Sequence, residues 1–330
     1  MICLGIESTA HTFGIGIIRD RKVVANVLDG YKTEKGGIIP TDAAKHHHEV
    51  RERLLATALE NAGIKLEDID LISYSRGPGL SPCLREGLAF AKEFSLKLKK
   101  PVVGVNHCIA HLEIGKLLTK AKDPVLLYAS GANTQVIAYA AGKYRVFGET
   151  LDLGVGNFID TFARSAGLGF PGGPKVAELA EKGKKDLIEL PYAVKGMDVS
   201  FSGLLTNLEQ KLRSGRYKLE DLSYSLQETA FPMLMEVSER AMAHLHKKEL
   251  LLGGGVSCNK RLQEMGTMMC KERGAEFFCP ERSFLVDNGA MIAWLGVLSR
   301  KHAVKWDKIE GNPKVNIFPY ERTDDIEVDW

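Results

Sequence analysis

Two stretches of the chain carry the same succession of apolar and polar positions. Residues 2–28 read as strand, small polar loop, strand, tight turn, strand, with apolar runs at 2–6, 13–18 and 23–28 and a turn at Arg19-Asp20-Arg21. Residues 125–149 repeat the order at similar lengths: a run at 125–129, the loop Ser130-Gly131-Ala132-Asn133-Thr134, strands at 135–140 and 144–149, and a turn at Ala141-Gly142-Lys143 between them. Short apolar runs bounded by turn residues predict strands, and their recurrence in one order predicts a duplicated unit. Helical spacing is strongest at 41–62, where Thr41 or Asp42 would be the N-cap, and at 82–99 and 220–247.

Two meanders, each followed by crossover helices, predict two α/β lobes, 1–122 and 123–330, the second with helical insertions. They would flank one cleft, their polar loops facing each other across a bound nucleotide. That is the duplicated architecture of actin, the sugar kinases and the heat-shock ATPases, and it is the expected fold.

The candidate chemistry sits where strands end. Residues 101–106 predict a buried strand and the following positions a helix to about residue 120, so His107 and His111 fall four apart at its start. Imidazoles at that spacing share a face, about 6 Å apart, and either bind one metal ion or are satisfied by hydrogen bonds. A zinc peptidase of the H-E-x-x-H type would carry its general base directly after the first histidine; Cys108 stands there instead. Asp287, before the apolar helix predicted at 290–298, is either the N-cap of that helix or a third ligand. The loop Glu7-Ser8-Thr9-Ala10-His11-Thr12 has the hydroxyls and backbone N–H groups of a phosphate loop, or is an ordinary hairpin turn.

In the second half, glycines at 154, 156, 167, 169, 172 and 173 surround a helix predicted at 158–166. Asp160, expected at its start, would bind ribose hydroxyls or an ammonium group, or simply favour the helix dipole. The buried strand 250–252 enters Gly253-Gly254-Gly255, and Asn259 would hydrogen-bond a phosphate or adenosine from the next helix start. His46-His47-His48 point three ways on a helix and are expected mainly at the surface. The basic stretch 211–218 reads as an RNA contact or a solvated loop.

Composition narrows the classes. With 330 residues, 45% hydrophobic, 26% charged and 33 glycines, the chain is a globular α/β protein with many tight turns. No apolar run reaches membrane-spanning length and Met1 leads into a strand, so neither signal peptide nor membrane span is expected. Six scattered cysteines predict reduced thiols and a cytoplasmic location. A net charge of +2 is too small for a general nucleic-acid binder.

Seven motifs follow in order: Gly5-Ile6-Glu7-Ser8-Thr9, Gly77-Pro78-Gly79, Val105-Asn106-His107-Cys108-Ile109-Ala110-His111, Ser130-Gly131-Ala132-Asn133-Thr134-Gln135, Phe170-Pro171-Gly172-Gly173-Pro174, Phe201-Ser202-Gly203 and Asp287-Asn288-Gly289. Together they resemble the TsaD/glycoprotease family along the whole chain, in particular its archaeal and eukaryotic branch, the catalytic subunit of the KEOPS complex. The resemblance implies transfer of a threonylcarbamoyl group from threonylcarbamoyl-adenylate to N6 of the adenosine next to the anticodon, in tRNAs reading codons that begin with adenine, with release of AMP. It implies metal ligation by His107, His111, Asp287 and Tyr128. The ion would be iron, divalent or trivalent, with zinc or another transition metal as alternatives. An adenine nucleotide would be held by the stretch Tyr128, Ala129, Ser130, Gly131 and Ala132 together with Asp160, Gly173 and Asn259. Glu7 and His11 are then candidate proton acceptors. Implied partners are tRNA, a Bud-family atypical kinase, a Pcc-type dimerising subunit and a Cgi-type subunit. Two positions depart from the family pattern: Ala132 stands for a usual glycine, and Ala177 for an acid common in archaeal relatives. A stand-alone ATPase or sugar kinase of the same fold, and a metalloprotease, are the competing readings.

Overall fold

A computed structural model describes residues 1–33, 37–184 and 186–330. The chain begins with β1 (Ile2–Glu7), β2 (Thr12–Arg19) and β3 (Lys22–Gly30), then α1 (Pro40–Ala62), β4 (Leu71–Gly77), α2 (Ser81–Leu98), β5 (Val102–Asn106) and α3 (His107–Leu118). A second series follows: β6 (Val125–Ala129), β7 (Thr134–Ala140), β8 (Lys143–Glu149), α4 (Val155–Ser165), α5 (Gly173–Lys182), β9 (Val194–Lys195), β10 (Asp198–Val199), α6 (Ser202–Arg213) and α7 (Leu219–His244). It continues with β11 (Glu249–Gly253), α8 (Lys260–Glu272), β12 (Glu276–Phe278) and the short α9 (Arg282–Leu285), and α10 (Gly289–Leu298) comes last.

The duplication is exact in topology. One sheet runs β3-β2-β1-β4-β5 and the other β8-β7-β6-β11-β12. In each, the first strand pairs antiparallel with the next and parallel with a strand reached by a helical crossover. Both hairpins turn through two left-handed residues, Asp20 and Arg21 in the first, Ala141 and Gly142 in the second. Such turns match the natural twist of paired strands. The central β1 is buried along nearly its whole length, because helices cover both faces; it therefore reads as a continuous apolar run and not as an alternation.

The chain forms two compact units, and their boundary corrects the expected lobes 1–122 and 123–330. The first comprises Met1–Lys32, Ile38–Leu118 and Asp287–Trp330; the second, apart from Thr33–Gly37, is Thr119–Val286. The C-terminal stretch returns to the first unit because α10 lies on β1 and β2 with almost no space between them. A Cβ on Gly5 would come within 2.2 Å of Ala293 N, and one on Gly16 within 2.0 Å of Ala290 N. Leu4, Ile6, Ile15, Ile17, Phe90 and Phe94 form much of the first core. In the second, Leu127, Val136, Phe158, Phe162, Phe201 and Phe231 play that part.

Two expected caps are corrected. Helix α1 begins one residue earlier, with Ile39 as N-cap and Pro40 in its first turn; neither Thr41 nor Asp42 caps it. The cap of α10 is Asn288, whose side chain accepts from Met291 N at 3.0 Å, so Asp287 keeps its carboxylate for other partners.

Candidate metal centre and glycine loops

In the first unit, three side chains meet at the carboxyl ends of β1 and β5. Asn106 ends β5 and starts α3: its Oδ1 accepts from Cys108 N at 3.0 Å and Ile109 N at 3.1 Å. This cap fixes the direction of the helix that carries both histidines. Their rings are 4.9 Å apart between centroids and both are buried. Asp287, brought in by the packing of α10, places Oδ1 3.4 Å from His107 Nε2 and 3.3 Å from His111 Nε2. One ligand atom from each of the three lies within 4.8 Å of the others. The Asp287 side chain is 15% exposed, so the cluster has an open side.

The electrostatics suit a cation. Burial pushes the Asp287 carboxyl up, but the two imidazoles outweigh it and hold the group well below the usual aspartate range. Burial lowers the pKa of His111, favouring the neutral, ligating ring. Glu7 Oε2 lies 2.9 Å from His107 Nδ1. A carboxylate only accepts, so the proton of that contact belongs on Nδ1 and Nε2 is left facing Asp287, a second acceptor. A positive charge belongs between them, either another proton on the ring or a metal ion. Two imidazoles and a carboxylate form a donor set for a transition metal, so the residues present fit one.

Cys108, at the position where a peptidase would carry its base, is fully buried. Burial pushes its thiol up to about 11. A neutral, enclosed thiol cannot activate water, and the peptidase reading loses its base.

The loop after β1 differs from a phosphate cradle. Glu7, Ser8 and Thr9 are buried, and Ser8 N donates to Ser75 Oγ of β4 at 3.0 Å. His11 is half-buried at the far end of the loop. Of the histidine run on α1, expected mainly at the surface, His48 is exposed beside Glu86 and His46 faces Asp29 at 3.1 Å. His47 is completely buried, its Nε2 3.0 Å from Ala10 O, and burial lowers its pKa to about 4. That neutral ring must donate to the carbonyl, and so supports the loop from below.

In the second unit, Tyr128 and Ala129 end β6 as buried residues, while Gly131 and Ala132 are exposed on the loop that follows. Ser130 Oγ donates to Asn133 O and accepts from Asn133 N, closing the loop on itself. The loop carbonyls also receive the first N–H groups of α4: Gly156 N reaches Ser130 O at 3.0 Å and Asn157 N reaches Gly131 O at 2.9 Å. Gly156 permits this, since a Cβ there would lie 2.7 Å from both Gly131 Cα and Ser130 O. Gly254, with φ of +88°, brings the turn after β11 equally close to Ala129 O. The parallel strands β6 and β11 thus end in adjoining glycine loops, where open α/β sheets take ligands.

Of two residues expected nearby, Asp160 is placed differently from the sequence reading, while Asn259 stands at the helix start as expected. Asp160 is in the middle of α4, not at its start; its Oδ1 accepts from Gly172 N at 2.8 Å and so holds the turn leading to Gly173. Asn259 is the N-cap of α8, accepting from Arg261 N at 2.9 Å, and its amide donates to Gln227 Oε1 at 2.6 Å. The motif Phe201-Ser202-Gly203 also finds a local cause. Asp152 accepts from Phe201 N and Ser202 N, both at 2.9 Å, and from Ser200 Oγ. Although desolvation works against it, these hydrogen bonds hold Asp152 well below the usual range. Sequence reasoning missed Thr9, Asn106, His47 and Asp152. Only Asn106, a capping residue type directly before a predicted helix, carried a local signal.

Comparison with known proteins agrees with these features. A family model described as "TsaD: tRNA N6-adenosine threonylcarbamoyltransferase" matches residues 22–294. The chain is 56% identical, over its full length and that of the relative, to the tRNA N6-adenosine threonylcarbamoyltransferase of Thermococcus kodakarensis. It is 53% identical to the probable bifunctional tRNA threonylcarbamoyladenosine biosynthesis protein of Methanocaldococcus jannaschii, matching all of this chain but 60% of that one. Among solved structures, T. kodakarensis HypF superposes with a TM-score of 0.62 at 14% identity, over 91% of this chain and 48% of that one. A ROK family glucokinase from Streptomyces griseus does so at 0.51 and 12%, over 89% and 99%. These structural likenesses bear out the expected duplicated α/β fold. No helix among the described residues is long and apolar enough to cross a membrane.

Proposed function

Because the chain belongs to the TsaD family of tRNA N6-adenosine threonylcarbamoyltransferases, we propose that it moves a threonylcarbamoyl group from threonylcarbamoyl-adenylate to N6 of the adenosine next to the anticodon. The tRNAs would be those reading codons that begin with adenine. In the transfer a bond forms between N6 and the carbamoyl carbon, the bond from that carbon to the phosphate oxygen breaks, and AMP leaves. The observation that carries this reading is the buried cluster of His107, His111 and Asp287 in a chain of this family.

We assign those three residues to one metal ion, iron for preference. When bound, the ion supplies a Lewis acid that orients and polarises the donor. The mixed anhydride already carries a good leaving group, so the remaining work of the protein is positioning. The backbone of Ser130, Gly131 and Ala132 and the turn at Gly173, held by Asp160, are assigned to the adenylate. Asn259 contributes by fixing the start of α8 beside the glycine turn. Of the two side chains expected to accept the N6 proton, His11 is left for the role, since both Glu7 oxygens are engaged.

The chain would act in the cytoplasm within a KEOPS-type assembly, with a Bud-family kinase, a Pcc-type and a Cgi-type subunit. The weak net charge supports a shared grip on tRNA. So does the bifunctional relative, whose length extends well beyond the part matched here.

Mass spectrometry of nucleosides tests the proposal. Unmodified tRNA is incubated with this protein, threonylcarbamoyl-adenylate and the partner subunits, each omitted in turn. Threonylcarbamoyladenosine that forms only when this chain is present supports the assignment. Its absence from the complete mixture, with ATP hydrolysis by the chain alone, overturns it in favour of an ATPase.

A further inference from the structure

We infer that Glu7 is a positioning residue, which holds His107 with Nε2 turned toward the metal, and is not the proton acceptor of the transfer. The inference rests on the metal assignment above. Glu7 is the last residue of β1 and has no exposed surface. One carboxylate oxygen, Oε2, lies 2.9 Å from His107 Nδ1. The other, Oε1, accepts from Thr9 N at 2.6 Å and from Thr9 Oγ1 at 2.5 Å. Thr9 Oγ1 is itself 3.3 Å from His107 Nδ1, so the hydroxyl closes a three-member ring of contacts.

The end of β1 and its loop are held on both sides. Ser8 is tied to β4 through Ser75, and Gly5 lies directly under α10. A base must reach its substrate, whereas among the described residues this carboxylate hydrogen-bonds to Thr9 and the far nitrogen of His107. A carboxylate on the non-ligating nitrogen of a ligand histidine sets its tautomer and ring orientation and raises its basicity. Glu7 and Thr9 lie 100 and 98 residues from His107 along the chain, so the link to the histidine is a product of the fold and not of a local motif.

The test is cobalt binding to the full-length protein, followed by absorption, for wild type, Glu7→Gln, Thr9→Val and His107→Ala. Glu7→Gln keeps the shape of the side chain and should weaken the metal about 10- to 100-fold, while the metal-free variant unfolds at the wild-type midpoint. Thr9→Val should give a smaller loss in the same direction. Excess metal should then restore the transfer rate of Glu7→Gln, which removal of a proton acceptor would not allow. Wild-type affinity in Glu7→Gln, or a rate that stays low at saturating metal, overturns the inference. Unchanged cobalt binding by His107→Ala would instead sink the metal assignment itself. In zinc-loaded protein labelled with ¹⁵N-histidine, His107 should carry its proton on Nδ1; metal on Nδ1 also overturns the inference.

Discussion

The loops after β1 and β6 occupy the same place in two copies of one topology, and they have been put to opposite uses. The first is buried and built from side chains: Glu7 turns inward to His107 and Thr9, while His47 supports Ala10 from α1. The second exposes Gly131 and Ala132 and is built from backbone, with its carbonyls taken up by α4 and its turn closed by Ser130. Strand order, hairpin turns and pairing are the same in both. A duplicated frame therefore dictates where a site can form and leaves its chemistry to a few loop residues, charged side chains in one copy and glycines in the other.

If the first loop serves a metal, the largest effect should come from its ligands. Asp287→Ala and His111→Ala should each lower the transfer rate about 10³-fold, the equivalent of several kcal/mol of lost charge stabilisation, and metal content should fall in parallel. Full metal content with lost activity would separate the two. The next effect concerns only the first loop. His47 has a pKa lowered from 6.5 to about 4 by burial. The unfolded chain binds this proton first, so the stabilisation is complete above pH 6.5 and is lost as pH falls toward 4. The difference corresponds to about 3 kcal/mol. His47→Gln retains a donor for Ala10 O but does not titrate, and it should flatten the acid limb of a stability curve by that amount. The Ser130–Asn133 loop carries no titratable side chain and should contribute nothing to this limb.

The second loop depends on close approach. Gly156→Val should push α4 away from Gly131 and Ser130, costing about 1–3 kcal/mol by overpacking and weakening adenine-nucleotide binding measured by calorimetry. Cobalt affinity should not change. If both affinities fell together, the two loops would not be the separable devices described here.

What the sequence allowed, and what it hid, follows the same division. The two meanders, their turns and the histidine pair are local patterns, and all were legible from spacing. The partnership of Glu7 with His107, the support of Ala10 by His47 and the clamp of Asp152 on the start of α6 join residues 37 to 100 positions apart. No periodicity reports such pairs. Asp287 was ambiguous for a different reason: it and Asn288 are both good capping residues, and only the start of α10 decides which of them caps. The return of Asp287–Trp330 to the first unit was hidden because its cause is glycine on glycine, Gly289 against Gly16, a contact with no side chain to signal it.

The smallest predicted effect distinguishes a ligand from a support. The glycines around Asn259 suggest an amide aimed at a nucleotide, but its oxygen caps α8 and its nitrogen is bonded to Gln227. Removal of the cap by Asn259→Ala should cost about 1 kcal/mol of stability, and Asn259→Ser, which caps nearly as well, should cost a few tenths. If Asn259 acts through the cap, nucleotide affinity should follow the same order, with serine close to wild type. If its amide binds the nucleotide directly, serine and alanine should lose affinity equally while differing in stability. Thermal unfolding and nucleotide titration of the same two variants decide between these, because a cap is a property serine shares with asparagine and an amide donor is not.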